Sequence, residues 1–148
     1  MPKGDIAVVF DCGATNVRAI AINSKGEILS SESFPNNTRP DPLYPEYRVW
    51  DADEIWNKMC LASKKVTSEI NKSDIAGVTI TTFGVDGSLF DKNGKMLYPV
   101  ISWQCERTKP IMLGIDKYIP LPELYSQCGN LPFNFNTINK LIWFLENK

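Results

Sequence analysis

Histidine is absent from the 148 residues. With it goes every Ser/His or Cys/His nucleophilic pair, the common hydrolase triads included. Cysteine is sparse: Cys12, Cys60, Cys105 and Cys128 are scattered, form no Cys-x-x-Cys pair and have no histidine to complete a zinc set. Four free thiols are expected. A surplus of either charge is also lacking, because 16 Lys and Arg stand against 17 Asp and Glu for a net charge of -1. That balance excludes the basic footprint of a nucleic-acid or anionic-membrane binder. The longest apolar runs, Ile6 to Phe10 and Leu141 to Leu145, are far too short to span a bilayer, and the opening Met1-Pro2-Lys3-Gly4-Asp5 carries no signal-peptide hydrophobic region. A cytoplasmic protein is the expectation. Internal repeats and low-complexity tracts are missing as well.

What is present is a 43% hydrophobic chain of the size of one ordinary domain, residues 1–148. Ile6 to Phe10 and Val17 to Ile22 are β-branched apolar runs, and Gly26 to Phe34 alternates enough for a third strand. Short turns join them, so an antiparallel meander is predicted. From Pro35 to Arg48 the density of Pro, Asn and charge predicts a long loop without regular structure. Asp51 and Glu54 have capping-box spacing, and Ile55, Met59, Ala62, Val66 and Ile70 recur at helical intervals, predicting a helix over about 52–70. Ile75 to Thr81 reads as a strand. Ser88 to Phe90 and Met96 to Ile101 flank an Asn-Gly turn and read as a hairpin. Helices are predicted over about 110–118, 122–127 and 137–147, the last capped by Asn136 and presenting Ile138, Leu141, Ile142, Trp143 and Leu145 as an apolar face. Such a face needs a cover, and an uncovered one would favour homo-oligomers. The order is that of an α/β protein with a mixed sheet and differs from the repeating βαβ of a dinucleotide fold.

Two stretches carry candidate chemistry. Asp11-Cys12-Gly13-Ala14-Thr15-Asn16-Val17-Arg18 lies between the first two predicted strands. Gly13 and Ala14 let the backbone approach an anion, successive turn amides can point at its oxygens, and Thr15 adds a hydroxyl, so Gly13, Ala14, Thr15 and Asn16 form a candidate phosphate turn. Asp11 is the candidate Mg²⁺ residue, acting through the ion's water shell as a lone carboxylate typically does. A hairpin turn that uses Gly and Asn for geometry alone fits the same spacing. The second stretch runs from Thr81-Thr82-Phe83-Gly84-Val85-Asp86-Gly87 to Ser102-Trp103-Gln104-Cys105-Glu106-Arg107-Thr108. A carboxylate such as Asp86 can accept from two sugar hydroxyls at once, and an indole such as Trp103 offers C–H groups an apolar face. Asp86 as a turn cap and Trp103 as a core aromatic are the alternatives. Arg107 either orients a hydroxyl or pairs with a neighbour in the Glu106 segment.

The first motif, Asp-x-Gly-x-Thr-x-x-Arg after an opening strand, resembles the phosphate motif of the sugar-kinase, hexokinase, heat-shock and actin superfamily. Together with Gly-Val-Asp and Trp-Gln-Cys-x-Arg-Thr it is similar, over the whole chain, to the N-terminal part of FGGY carbohydrate kinases. That resemblance implies a ribonuclease H-like, actin-like ATPase fold with flanking helices, ATP and Mg²⁺ as cofactors, and a sugar as partner. It assigns Asp86, Trp103 and Arg107 to the sugar and places Arg18 near the transferring phosphoryl group, where a cation stabilises developing charge. The implied reaction is phosphorylation of a ketose, L-fuculose foremost, at its terminal hydroxyl, with L-rhamnulose or another ketose or polyol as the alternative substrate.

Family members are longer, two-domain proteins whose second half supplies the aspartate base and the adenosine pocket. This chain by itself is therefore expected to be inactive, since phosphoryl transfer requires nucleophile, γ-phosphate and metal to be positioned together. A sugar-binding module without catalysis is the alternative from another class. A two-metal nuclease around Asp11 and Asp86 is disfavoured by the near-zero net charge and the lack of further carboxylates.

Overall fold

The computed structural model describes residues 4–147. Two compact units share the chain, one formed by the residues up to Asn37 together with Asp51–Gly84, the other by Thr38–Trp50 with Val85 onward.

In the first unit the β-branched runs become β1 (Ile6–Cys12), β2 (Asn16–Asn23) and β3 (Ile28–Pro35), an antiparallel meander as the short turns predict. β6 (Ile75–Thr82) joins β1 in parallel, giving a mixed sheet of order β3-β2-β1-β6. Alternation does the sorting: Ile6, Val8 and Cys12 of β1 are buried on one face. Helix α1 (Ala52–Ser68) lies on that face, with Ala62 and Val66 packed against Ile6, Ala19 and Ala21. Small side chains on both sides allow helix and sheet to approach closely. The Asp51 carboxylate caps α1 by accepting the Glu54 amide at 2.9 Å, the first half of the capping box read from the sequence. Val78 and Ile80 of β6, by contrast, are exposed.

In the second unit β4 (Arg39–Pro40), β5 (Arg48–Trp50) and β7 (Val100–Ile101) make a small antiparallel sheet of order β4-β5-β7. Helices α2 (Lys109–Leu113), α3 (Leu121–Cys128) and α4 (Thr137–Asn147) follow. Tyr98, Ile101, Cys105, Ile111, Ile115, Ile142, Trp143 and Phe144 form its core.

Four expectations require correction. The Pro-rich stretch is not wholly irregular, since β4 and the start of β5 fall within it. The hairpin after Ser88 reduces to one bridge, Phe90 with Met96, around a turn in which Gly94 takes φ 79° and Asp91 Oδ1 accepts the Asn93 and Lys95 amides. Pro99 lacks an N–H and interrupts the second arm, so only Val100–Ile101 is strand, and it pairs with β5. The helix after Pro110 stops at Leu113, because Gly114 is a poor helix former, and a 3₁₀ turn over Ile115–Lys117 follows. On α4 the buried side chains include Asn139, Lys140, Ile142, Trp143 and Phe144, while Leu141 and Leu145 of the predicted apolar face point outward.

No helix among the described residues is long and apolar enough to cross a membrane. All four cysteines are unpaired.

Candidate functional site

The first unit holds the candidate phosphate turn. Register places Asp11, near the end of β1, opposite Arg18 on β2. Arg18 Nε donates to Asp11 Oδ2 at 2.9 Å, and Nη2 reaches the same oxygen. Two residues to which separate roles were assigned are thus an ion pair, half-exposed at the arginine and less so at the aspartate. Between them the chain reverses tightly. The Gly13 amide donates to the Asn16 carbonyl at 2.8 Å, and a Cβ on Gly13 would sit 3.1 Å from that carbonyl oxygen. Glycine at 13 thus spares the turn a tight contact, and its own N–H closes the turn instead of facing an anion.

A residue the sequence did not single out braces this turn. Asn36 is buried directly after β3; its Nδ2 donates to the Gly13 carbonyl at 2.9 Å and its amide to the Thr15 carbonyl at 2.8 Å. Surrounded by Pro35 and Asn37, it reads in sequence as one more loop-former, so no local signal marked it. Cys12 contributes packing only. Burial, with help from the Asp11 charge, pushes its thiol up against the lowering effect of a Thr82 hydrogen bond, and the protonated thiol is a poor nucleophile.

The second unit holds Asp86 and Trp103, and it brings them together. Asp86 Oδ2 accepts the Trp50 indole N–H at 2.6 Å and the Trp103 amide at 3.1 Å. Oδ1 pairs with Lys140 Nζ, which also donates to the Val85 carbonyl at 3.0 Å. Both side chains of this pair are nearly sealed, 3% exposed for Lys140 and 1% for Asp86. Trp103 is 37% exposed, with Phe135 edge-on to it at 6.4 Å and Phe133 stacked on Phe135 at 5.0 Å. Trp103 thus offers a partly open aromatic surface, while the sealed Asp86 carboxylate reaches that residue through its main-chain amide. Trp50, Phe133 and Phe135 lie outside every predicted element, and Lys140 is a charged residue of the predicted helix over 137–147 with no motif of its own, so none of the four carried a local signal.

Arg107 lies elsewhere in the same unit. Its side chain is fully buried, and its ion-pair partner is Asp41 at 2.7 Å, not a residue of the Glu106 segment. Nη1 also reaches the Tyr98 hydroxyl at 3.3 Å and Nε the Cys105 sulfur at 3.1 Å. The guanidinium plane is sandwiched between Tyr47 at 4.6 Å and Trp143 at 4.7 Å. Asp41 takes the Leu43 and Tyr44 amides and the Tyr98 hydroxyl as well. Burial raises the Asp41 carboxyl, but the Tyr98 hydroxyl, the Leu43 amide and Arg107 outweigh it and hold it below its ordinary value. Tyr98 is pushed up to about 12 by burial and the Asp41 carboxylate. Arg107, the one nominated sugar residue with no accessible side-chain surface, is the centre of a buried polar network that ties the Asp41 turn to the core.

No group of three or more His, Cys, Asp or Glu among the described residues could hold a metal. A cage for a resident ion is therefore not built here. The single Asp11 carboxylate fits the other mode, in which Mg²⁺ arrives with a nucleotide and keeps its waters.

A mixed sheet with a tight turn between its first two strands is the fold the chain shares with solved sugar kinases of the actin-like ATPase class. The chain belongs to the FGGY family of carbohydrate kinases, whose N-terminal domain matches residues 6–148. It is 43% identical over 148 residues to an L-fuculokinase of Haemophilus influenzae, covering 97% of this chain and 32% of that protein. An L-fuculokinase of Escherichia coli strain K12 is 41% identical over 145 residues, covering 98% of this chain and 31% of its own length. The chain thus spans about a third of the length of the curated relatives it matches. Among solved structures, a xylulose kinase from Rhodospirillum rubrum superposes with a TM-score of 0.84 at 19% identity, over 97% of this chain and 30% of that one.

Proposed function

We propose that this chain is the phosphate- and sugar-binding portion of an ATP-dependent ketose kinase, with L-fuculose as substrate and its 1-phosphate as product. The observation that carries the reading is the Asp86 carboxylate joined to the main-chain amide of the partly exposed Trp103, in a chain whose relatives at 41 and 43% identity are L-fuculokinases. L-Rhamnulose and other ketoses are the competing substrates.

On this reading Asp86 accepts sugar hydroxyls and Trp103 receives an apolar face of the ketose. A carboxylate has about four acceptor positions; three are occupied by Trp50, Trp103 and Lys140. Because its side chain is only 1% exposed, Asp86 meets a sugar hydroxyl by exchange with one of the present donors. The weakest of those with a stated length is the Trp103 amide at 3.1 Å. Demands of this kind on hydroxyl geometry are what separate epimers. The turn of Gly13, Ala14, Thr15 and Asn16 receives the nucleotide's phosphates, with Gly13 closing the turn by its N–H and not donating to them, Asp11 meets the water shell of Mg²⁺, and Arg18 turns from Asp11 toward the phosphoryl group. The metal supplies neutralisation of phosphate charge. Arg107 supports the site through the Asp41 network and does not touch the sugar.

The base that takes the hydroxyl proton lies in the portion of the relatives that this chain does not span, so the 148-residue chain binds sugar without turning it over. Isothermal calorimetry should show L-fuculose binding with no nucleotide present, tighter than L-rhamnulose, and weakened about tenfold or more by Asp86→Asn, the loss expected for a charged hydrogen bond. A coupled assay should detect no sugar-dependent ADP release. Turnover by this chain would refute the inactivity, and equal heats for the two sugars would refute the substrate ranking.

A further inference from the structure

We infer that Lys140 is a positioning residue for the sugar-binding carboxylate, the group that fixes which way Asp86 presents its oxygens. The inference rests on the reading of Asp86 just given.

An ammonium this closed to water is costly unless it is paired and hydrogen-bonded. Lys140 Nζ satisfies both needs on two adjacent residues, the Val85 carbonyl at 3.0 Å and the Asp86 carboxylate. It therefore fixes main chain and side chain of the same dipeptide at once. Position 140 lies in the first turn of α4, and that turn reinforces the grip: Thr137 Oγ1 donates to the same Val85 carbonyl at 3.0 Å. Asn139 in turn donates to the Phe133 and Asn134 carbonyls at 2.9 and 3.3 Å, holding the strand of chain that carries Phe135. One helical turn thus holds both the Val85-Asp86 dipeptide and the chain leading to Phe135. Because Lys140 holds Oδ1, the other oxygen is left to Trp50 and Trp103. Without the ammonium the carboxylate is free to rotate about Cβ–Cγ, and both indole-residue contacts loosen with it. Lys140 Nζ is committed to the Val85 carbonyl and to Asp86 Oδ1, so it acts through Asp86 and not on the sugar directly.

Nitrogen-15 NMR on the complete chain tests this without a need for turnover. The Trp50 indole N–H and the Trp103 amide both report on Asp86 Oδ2, while the Trp143 and Trp56 indoles report that each unit is folded. In Lys140→Met, Trp50 and Trp103 should lose about tenfold or more of their exchange protection while Trp143 and Trp56 keep their signals. Lys140→Met added to Asp86→Asn should change them no further, as expected when one residue works through the other. L-Fuculose affinity should fall in Lys140→Met by the same factor as in Asp86→Asn. Should the methionine variant not fold, the unsubstituted chain still answers: the Lys140 ammonium protons must be protected from exchange, and Asp86→Asn must abolish that protection. Unchanged Trp50 and Trp103 protection in folded Lys140→Met, or an unprotected Lys140 ammonium in the parent chain, overturns the inference. If Asp86→Asn releases Trp50 yet leaves L-fuculose affinity intact, the fault lies with the sugar reading of Asp86 and not with the role of Lys140.

Discussion

Arg107 shows how a side chain nominated for a ligand can instead be built into the core. Its guanidinium and the Asp41 carboxylate are both fully buried, and each leaves the other uncompensated if removed. Arg107→Met alone should therefore cost about 3–5 kcal/mol, as for other broken buried pairs, and Asp41→Asn somewhat less because the amide can still accept. The double variant Asp41→Leu with Arg107→Met should recover part of the loss, and urea unfolding monitored at Trp143 would show it. The same network makes stability depend on pH at both ends. Asp41 is held low in the folded chain, so its contribution is present above the unfolded carboxyl value near 3.9 and disappears as pH falls through the lower folded value. Tyr98 is held high, so its contribution is present below the unfolded phenol value near 10 and disappears as pH rises toward about 12. Tyr98→Phe should flatten both limbs of a plot of urea midpoint against pH. Limbs that stay as steep as in the parent would show that other groups control them.

At the scale of elements, legibility followed local signals. α1 could be read because an Asp cap, helical spacing of Met59, Ala62 and Val66, and the absence of Gly and Pro all agree. Asp51→Ala should accordingly lower stability by about 1 kcal/mol, measured by thermal unfolding of the helix signal, and Asp51→Ser should restore most of it. The meander could be read for the same reason. β4 and β5 could not, since two- and three-residue strands have no period of their own and exist only through pairing, β4 with β5 and β5 with β7. The hairpin was half legible: Asp91, Asn93 and Gly94 form the turn their identities suggest, yet Pro99 diverted the following strand to a distant partner. The site divided likewise. Asp11, Gly13, Asp86 and Trp103 stand in short motifs, whereas Asn36, Lys140 and Trp50 serve through contacts that bridge 23, 54 and 36 residues, a distance at which spacing carries no information.

Across the whole molecule the apolar surface is unevenly covered. In the first unit α1 shields the β1 to β3 side of the sheet and leaves Trp56, Val78 and Ile80 at 63, 65 and 60% exposure around a concave apolar surface with Phe10 and Met59. In the second, Leu145 is 82% exposed beside Leu141, Leu89 and Leu97. Patches of this kind on a chain that spans a third of its relatives' length are surfaces that water tolerates poorly, and at rising concentration the simplest cover is another copy. Their substitution should be nearly free for the fold, because an exposed side chain forfeits little burial when changed. Val78→Thr with Ile80→Thr keeps β-branching in β6, and Leu145→Glu sits in the last turn of α4, where a negative charge costs a few tenths of a kcal/mol against the helix dipole. Sedimentation velocity over about a hundredfold range of concentration should show the parent chain shifting to larger species and the triple variant remaining at one size. The two chains should unfold at urea midpoints that agree to within about 1 kcal/mol in free energy. A parent chain that sediments as one small species throughout would mean that these faces stay bare in solution.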